Sequence, residues 1–154
     1  MTTDRPALLE RYRNGAAAFI AAVEGISAAE LDARSAPDAW TAREIIHHLA
    51  DAELRATVRL RQLLAEDEPI IQGYDEEAYT RRLPQDRSIE VSLEAVRAAR
   101  AANLELLDRL DDADWLRAGT HTDSGPYSLT DWVTIYAAHA HDHAEQLTRA
   151  RART

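Results

Sequence analysis

Apolar positions recur every three to four residues through four long stretches of the chain, the spacing of amphipathic helices. In the first, about Asp4 to Glu24, the period is carried by Leu8, Tyr12, Phe19, Ile20 and Val23. Pro6 suits a first helical turn, and Gly25 is placed to end the helix. Ser27 can cap a short turn through Leu31, before Pro37. The second helix has the best-marked start in the chain. Thr41 and Glu44 have the capping-box spacing, each side chain able to satisfy the other end's free backbone N–H, and Trp40 and Ile45 sit at the staple positions on either side. Ile45, Leu49, Ala52, Ala56, Leu60 and Leu63 carry the apolar stripe to about Ala65.

A stretch from Glu66 to Arg87 follows, with Pro69, Gly73 and Pro84 in it. A connection that long in a compact domain is either functional or a plain crossover. Its Ile70, Ile71, Tyr74 and Tyr79 argue that it packs back onto the helices. The third helix starts near Ser88 and runs to about Leu110, with Leu93, Val96, Leu104, Leu107 and Leu110 inward. Asp111, Asp112 and Asp114 form an acidic turn that lacks the EF-hand spacing of a calcium loop. Gly119 to Tyr127 reads as loop. Ser128 and Asp131 then repeat the capping pattern and open a fourth helix to about Ala150. The expectation is an all-α four-helix bundle with a long crossover between helices two and three, forming one domain over residues 1–154.

Composition agrees. Hydrophobic residues are 45% and charged residues 29%, with only five Gly and five Pro to interrupt helices. The formal charge of −9 opposes binding to nucleic acid or to anionic membranes. The local run Arg55, Arg59 and Arg61 is flanked by acidic residues and reads as a solvated helix face. The segment Met1-Thr2-Thr3-Asp4-Arg5-Pro6 lacks a signal-peptide core, and no apolar run approaches the ~18 residues of a membrane span, so a cytoplasmic protein is expected. There is no cysteine. Any metal must therefore be held by His, Asp or Glu, and any thiol chemistry must use a thiol brought in as substrate.

Six histidines are present, and the ~100° turn per residue sorts five of them. With Ile45 at the centre of the second helix's stripe, His48 lies roughly 60° to one side and His47 about 160° away, facing solvent. On the fourth helix His139 and His143 differ by only about 40°, on the face of Trp132, Tyr136 and Leu147, while His141 projects to the opposite side. His48, His139 and His143 can thus converge inside the bundle. The i, i+4 pair stacks two imidazoles, as a shared metal ion requires. Three neutral ligands leave open coordination positions, the arrangement of a catalytic rather than a closed structural site. The competing reading is three interior histidines hydrogen-bonded to neighbours. Asp51 and Glu53 point away from the stripe centre, solvated or paired with arginine. Asp142 suits the surface. Gln146, three residues past His143, can orient a ligand or make a rim contact. Tyr74, Tyr136, Arg59 and Arg100 are candidates for touching a substrate; for each arginine the plainer role is a surface salt bridge.

The run Trp40-Thr41-Ala42-Arg43-Glu44 leading into Ile46-His47-His48-Leu49-Ala50-Asp51, the core Gly73-Tyr74-Asp75-Glu76 within 69–79, and Tyr136-Ala137-Ala138-His139 followed by His143 together resemble the DinB-like superfamily, and within it the YfiT-like metal-dependent hydrolases. The resemblance implies an up-down-down-up bundle, a divalent ion (zinc or nickel) on His48, His139 and His143, and a homodimer. The substrate would be a small molecule. The implied chemistry is metal-dependent hydrolysis, with transfer of a low-molecular-weight thiol such as bacillithiol or mycothiol as the alternative, or a non-catalytic, stress-associated metal-binding bundle. Where the resemblance leads one to expect a further histidine beside the last ligand, this chain has Asp142.

Overall fold

The structure is a computed structural model described for residues 4–153; Met1–Thr3 of the N-terminal segment and Thr154 lie outside the described residues. It is mostly helical. In chain order the elements are α1 (Arg5–Val23), α2 (Ala28–Leu31), α3 (Ala42–Ala65), β1 (Ile70–Ile71), α4 (Glu76–Arg82), α5 (Ile89–Leu107), a 3₁₀ turn (Asp114–Leu116), β2 (Ala118–His121), β3 (Gly125–Ser128) and α6 (Leu129–Arg151). The caps fall where the sequence puts them. Capping boxes close Ser27 with Glu30, Thr41 with Glu44, and Ser128 with Asp131, in each case with both bonds made. Gly25, with φ of +66°, ends α1 in the left-handed conformation that side chains resist.

The four long helices α1, α3, α5 and α6 bury two apolar clusters. Tyr12, Leu60, Leu63, Leu107 and Trp132 belong to one, and Phe19, Ile45, Ile46, Val96 and Leu147 to the other. On α1, α3 and α5 a small or polar residue falls between the two: Gly15, Glu53 and Arg100. Along α3 and α5 the partners advance together, His47 with Ser92, Glu53 with Arg100, Arg61 with Asn103. Along α3 and α6 they advance in opposite order, His48 with His143 and Ala56 with Trp132.

Three expectations need correction. The segment 119–127 is not a loop but a β-hairpin, with Ala118 opposite Ser128 and His121 opposite Gly125. Gly125 supplies the positive φ, +79°, that a tight hairpin turn requires, and Tyr127 is buried. The segment 66–87 is structured: β1 adds to β2 in parallel, giving a three-stranded sheet in the order β1-β2-β3, and α4 follows. The fold is thus helical with a small sheet attached, not wholly α. The third long helix stops at Leu107 rather than Leu110. In the acidic turn behind it Asp111 and Asp114 each accept the other's backbone N–H, and Asp112 pairs with Arg5, so these carboxylates are engaged within the protein. Among the described residues no helix is long and apolar enough to cross a membrane.

Candidate metal centre

His48 lies nearly two turns inside α3, three residues past the staple residue Ile45, and is 5% exposed. The ring of Trp40, just before the helix, stands 4.6 Å from the His48 ring, and the Trp40 indole N–H donates to Glu77 of α4 at 2.8 Å. The long segment therefore does pack back, and it closes one side of the site. From α6, His139 and His143 present one ring above the other, centroids 4.5 Å apart.

All three rings aim the same atom inward. His143 Nε2 is 3.1 Å from His139 Nε2 and 3.2 Å from His48 Nε2, and the three ligand atoms all lie within 4.8 Å of one another. A tetrahedral ion with metal–nitrogen bonds of about 2.05 Å would separate its nitrogens by about 3.3 Å, so the cluster fits one ion with little adjustment. The opposite faces of the rings are arranged to keep those nitrogens free. Gln146 Oε1 lies 2.7 Å from His143 Nδ1, which places the ring proton on Nδ1 and leaves the Nε2 lone pair facing the cluster. Behind His139, the Glu53 carboxylate stands 3.8 Å from Nδ1, a charge held close to a ligand ring. His139 Nδ1 and Glu53 Oε2 are buried without hydrogen-bond partners, so the polar groups behind the ring have capacity to spare.

The environment favours neutral imidazoles. Burial, then the neighbouring His143 and His139, push His48 down to about 3. Burial and His139 push His143 down to about 4, against the raising effect of the Gln146 bond. Kept deprotonated at neutral pH, the rings of His48 and His143 can present lone pairs to a cation.

Of the sequence expectations about polar residues of α3, that for His47 fails. His47 does not face solvent: it is 1% exposed, with Nδ1 2.7 Å from Ser92 Oγ of α5. Glu53, expected to be solvated or paired with arginine, is fully buried and takes the second alternative, bonded to Arg100 at 2.7 Å. Burial is the largest influence on Glu53 and opposes its ionisation, but the Arg100 charge and hydrogen bond together with His139 outweigh it and hold the carboxyl below its usual range. Arg100 itself is 2% exposed and also donates to the Tyr12 and Tyr136 carbonyls, so it neither makes a surface salt bridge nor reaches a substrate. Gly15 makes room for it: a Cβ there would lie 2.6 Å from Arg100 Nη1. Asp51 pairs with Arg87 and Asp142 is exposed, as expected, His141 turns away to the Arg11 carbonyl, and Gln146 bonds the His143 ring.

Arg55 and Arg59 do not form the solvated face that the run Arg55, Arg59 and Arg61 suggests; they bend toward the site, as the alternative reading of Arg59 allows. Arg59 donates to the Tyr136 hydroxyl at 3.1 Å, and the Tyr136 ring lies 5.8 Å from that of His139. Arg55 stacks on Tyr74, 4.3 Å from its centroid. The signal was available: seven and eleven residues past His48 return to within about 20° of it on the helix.

Known proteins agree with this geometry. A protein of Oceanobacillus iheyensis named "Putative metal-dependent hydrolase" is 34% identical over 119 residues, which are 77% of this chain and 69% of that protein. One of the same name from Bacillus mycoides is 26% identical over 132 residues, 86% of this chain and 76% of that one. The solved structure of YfiT from Bacillus subtilis, described as a probable metal-dependent hydrolase with an unusual four-helix bundle topology, superposes with a TM-score of 0.90 at 25% identity, over 99% of this chain and 89% of that one. The sequence pattern of the DinB superfamily matches residues 11–147, and the chain belongs to that superfamily.

Proposed function

We propose that this protein is a metal-dependent hydrolase that holds one divalent ion, zinc or nickel, on His48, His139 and His143. The observation that carries the reading is the convergence of three Nε2 atoms, two of the separations being 3.1 and 3.2 Å, in a pocket whose burial favours neutral rings at His48 and His143. The names of the relatives support it. Bound there, the ion would act as a Lewis acid and make a water molecule acidic enough to serve as nucleophile near neutral pH.

The chain's own residues do the rest. Gln146 fixes the tautomer of His143. Glu53, itself held by Arg100, stands behind His139 and stabilises positive charge on the ligand set. Trp40 walls the cluster beside His48. The reading includes an up-down-down-up order of the four long helices within one domain, with 66–87 as the crossover; the paired advance of α3 and α5 supports it. It also includes a cytoplasmic homodimer acting on a small molecule, without nucleic-acid or membrane partners, which the charge of −9 supports.

The test is elemental analysis of protein expressed with zinc and nickel supplied. About one ion per chain is expected, falling to near zero in His48→Ala and His139→Ala. Less than about a tenth of an equivalent in the wild type refutes the metal centre. Ester, amide and thiol-transfer assays then use His139→Ala as control. Hydrolysis lost in that variant supports the reading; thiol transfer alone, or activity indifferent to the change, overturns it.

A further inference from the structure

Most arginines that α3 and its neighbours bring inward have a carboxylate: Arg43 has Asp32, Arg87 has Asp51, Arg100 has Glu53. Arg55 and Arg59 are different. Among the described residues neither has a carboxylate partner. Both are half-buried and are positioned by neutral groups only. Arg55 donates to the Tyr79 hydroxyl at 3.2 Å and to the Gln72 carbonyl at 3.1 Å; Arg59 donates to the Tyr136 hydroxyl at 3.1 Å and to the same carbonyl at 2.7 Å. A guanidinium has five N–H donors, so these bonds orient each one and leave donors over. Tyr74 lies against both cations, 4.3 and 5.8 Å from its ring centroid. The result is two parallel, oriented, uncompensated cations in a chain whose net charge is −9.

They also border an opening. A cleft of about 400 Å³ is lined by Leu54, Arg55, Val58, Arg59, Gln62 and Gln72. Leu54 and Val58 are 51% and 59% exposed, unusual for large apolar side chains, and form an apolar stripe beside the cations on the same helix. A cation pair beside an apolar stripe in one cleft is complementary to a molecule with one anionic end and a hydrocarbon body. Tyr136 bridges this cleft to the histidine cluster, with its hydroxyl on Arg59 and its ring against His139.

We propose that Arg55 and Arg59 bind the carboxylate of a small organic acid in this cleft. That the acid is the substrate of the metal centre rests on the function proposed above; the binding site itself does not. A carboxylate suits the pair better than phosphate, because Leu54 and Val58 add apolar lining beside the cations and two cations match a single charge with its hydrogen bonds.

The probes are hexanoate, its neutral isostere hexanamide, and inorganic phosphate, titrated into the metal-free full chain and followed by NMR of the backbone and arginine Nε–H signals. Hexanoate is expected to saturate and to shift Arg55, Arg59 and Val58. Hexanamide should bind about 10- to 100-fold more weakly, the discrimination of a charge-assisted hydrogen bond. Arg59→Met should weaken hexanoate by a similar factor while taking up metal normally, and Arg55→Lys/Arg59→Lys, which keeps charge but loses the fork, should weaken it less. His139→Ala should bind hexanoate as the wild type does, so loss of the metal centre and loss of the acid site are separate results. Equal binding of hexanoate and hexanamide, no saturation up to the solubility of the acid, unchanged affinity in a folded Arg59→Met protein, or tighter binding of phosphate than of hexanoate each overturns the proposal.

Discussion

Replacing Arg100 by Met tests whether the Glu53–Arg100 pair is the electrostatic centre of the bundle. The two side chains are 2% and 0% exposed and 2.7 Å apart. Arg100 also bonds the Tyr12 and Tyr136 carbonyls and stacks 4.2 Å from the Tyr12 ring centroid. Met fills much of the volume but leaves the Glu53 carboxylate buried with no cation bonded to it. Removing one partner of such a pair costs about 3–5 kcal/mol, most of it the desolvated charge left behind. For a chain of this size each kcal/mol moves the melting temperature by about 2–4 °C, so a fall of about 6–20 °C is expected at neutral pH. The sign of the pH dependence follows from the same charge. The folded wild type holds the Glu53 carboxyl below its ordinary value of 4.5, so its stabilisation is present above that pH and is lost as pH falls through the folded value. In Arg100→Met the buried carboxyl is raised instead and takes up a proton, so the difference between the two proteins must shrink in acid. The assay is thermal and urea unfolding of chelator-treated protein across pH. The double variant Glu53→Met/Arg100→Met removes both charges and should recover most of the loss. A single-variant loss under about 1 kcal/mol, or a double variant no better than the single, would refute the reasoning.

Gly15→Ala should destabilise by about 1–3 kcal/mol despite alanine's better helix propensity, because its Cβ would fall 2.6 Å from the buried Arg100 Nη1; a stabilised variant in calorimetry would show that the Arg100 end can move aside. Gln146→Leu removes the acceptor that fixes the His143 tautomer, so metal affinity measured by chelator competition should fall about 10- to 100-fold with the fold retained; an unchanged affinity would make Gln146 a rim contact. Glu30 is held below its ordinary value of 4.5, first by the Ser27 backbone N–H and then by Arg151, so it stabilises above that pH and loses the effect as pH falls through the lower folded value. The melting-temperature gap between wild type and Glu30→Gln should therefore narrow below pH 4.5, and a gap indifferent to pH would contradict the assignment.

How much of this was legible depended on how many neighbours each helix has. The caps at Ser27, Thr41 and Ser128 are local chemistry, decided within four residues, and they were readable. The histidine triad was readable because i, i+4 on α6 and the edge of one stripe on α3 are also local geometry. The hairpin was missed because its strands are four residues each and its buried side chain is the single Tyr127; the Gly125 turn was the available signal. The burial of His47 and of Glu53 was hidden for a different reason. A wheel centred on Ile45 gives α3 one inner face. In its first two turns residues 45–50 are all buried, with His47 against α5 and His48 against α6. A helix surrounded on several sides has no solvent face, and its polar residues become a network. The adjacent Ile45 and Ile46, which no single stripe accommodates, were the trace of this in the sequence. The consequence reaches the site: Glu53, turned away from the stripe, can stand behind His139 because α3 meets α5 and α6 at once, with Arg100 of α5 on one side of the carboxylate and His139 of α6 on the other. The three converging histidines are set by two helices, but the charge behind them needs three.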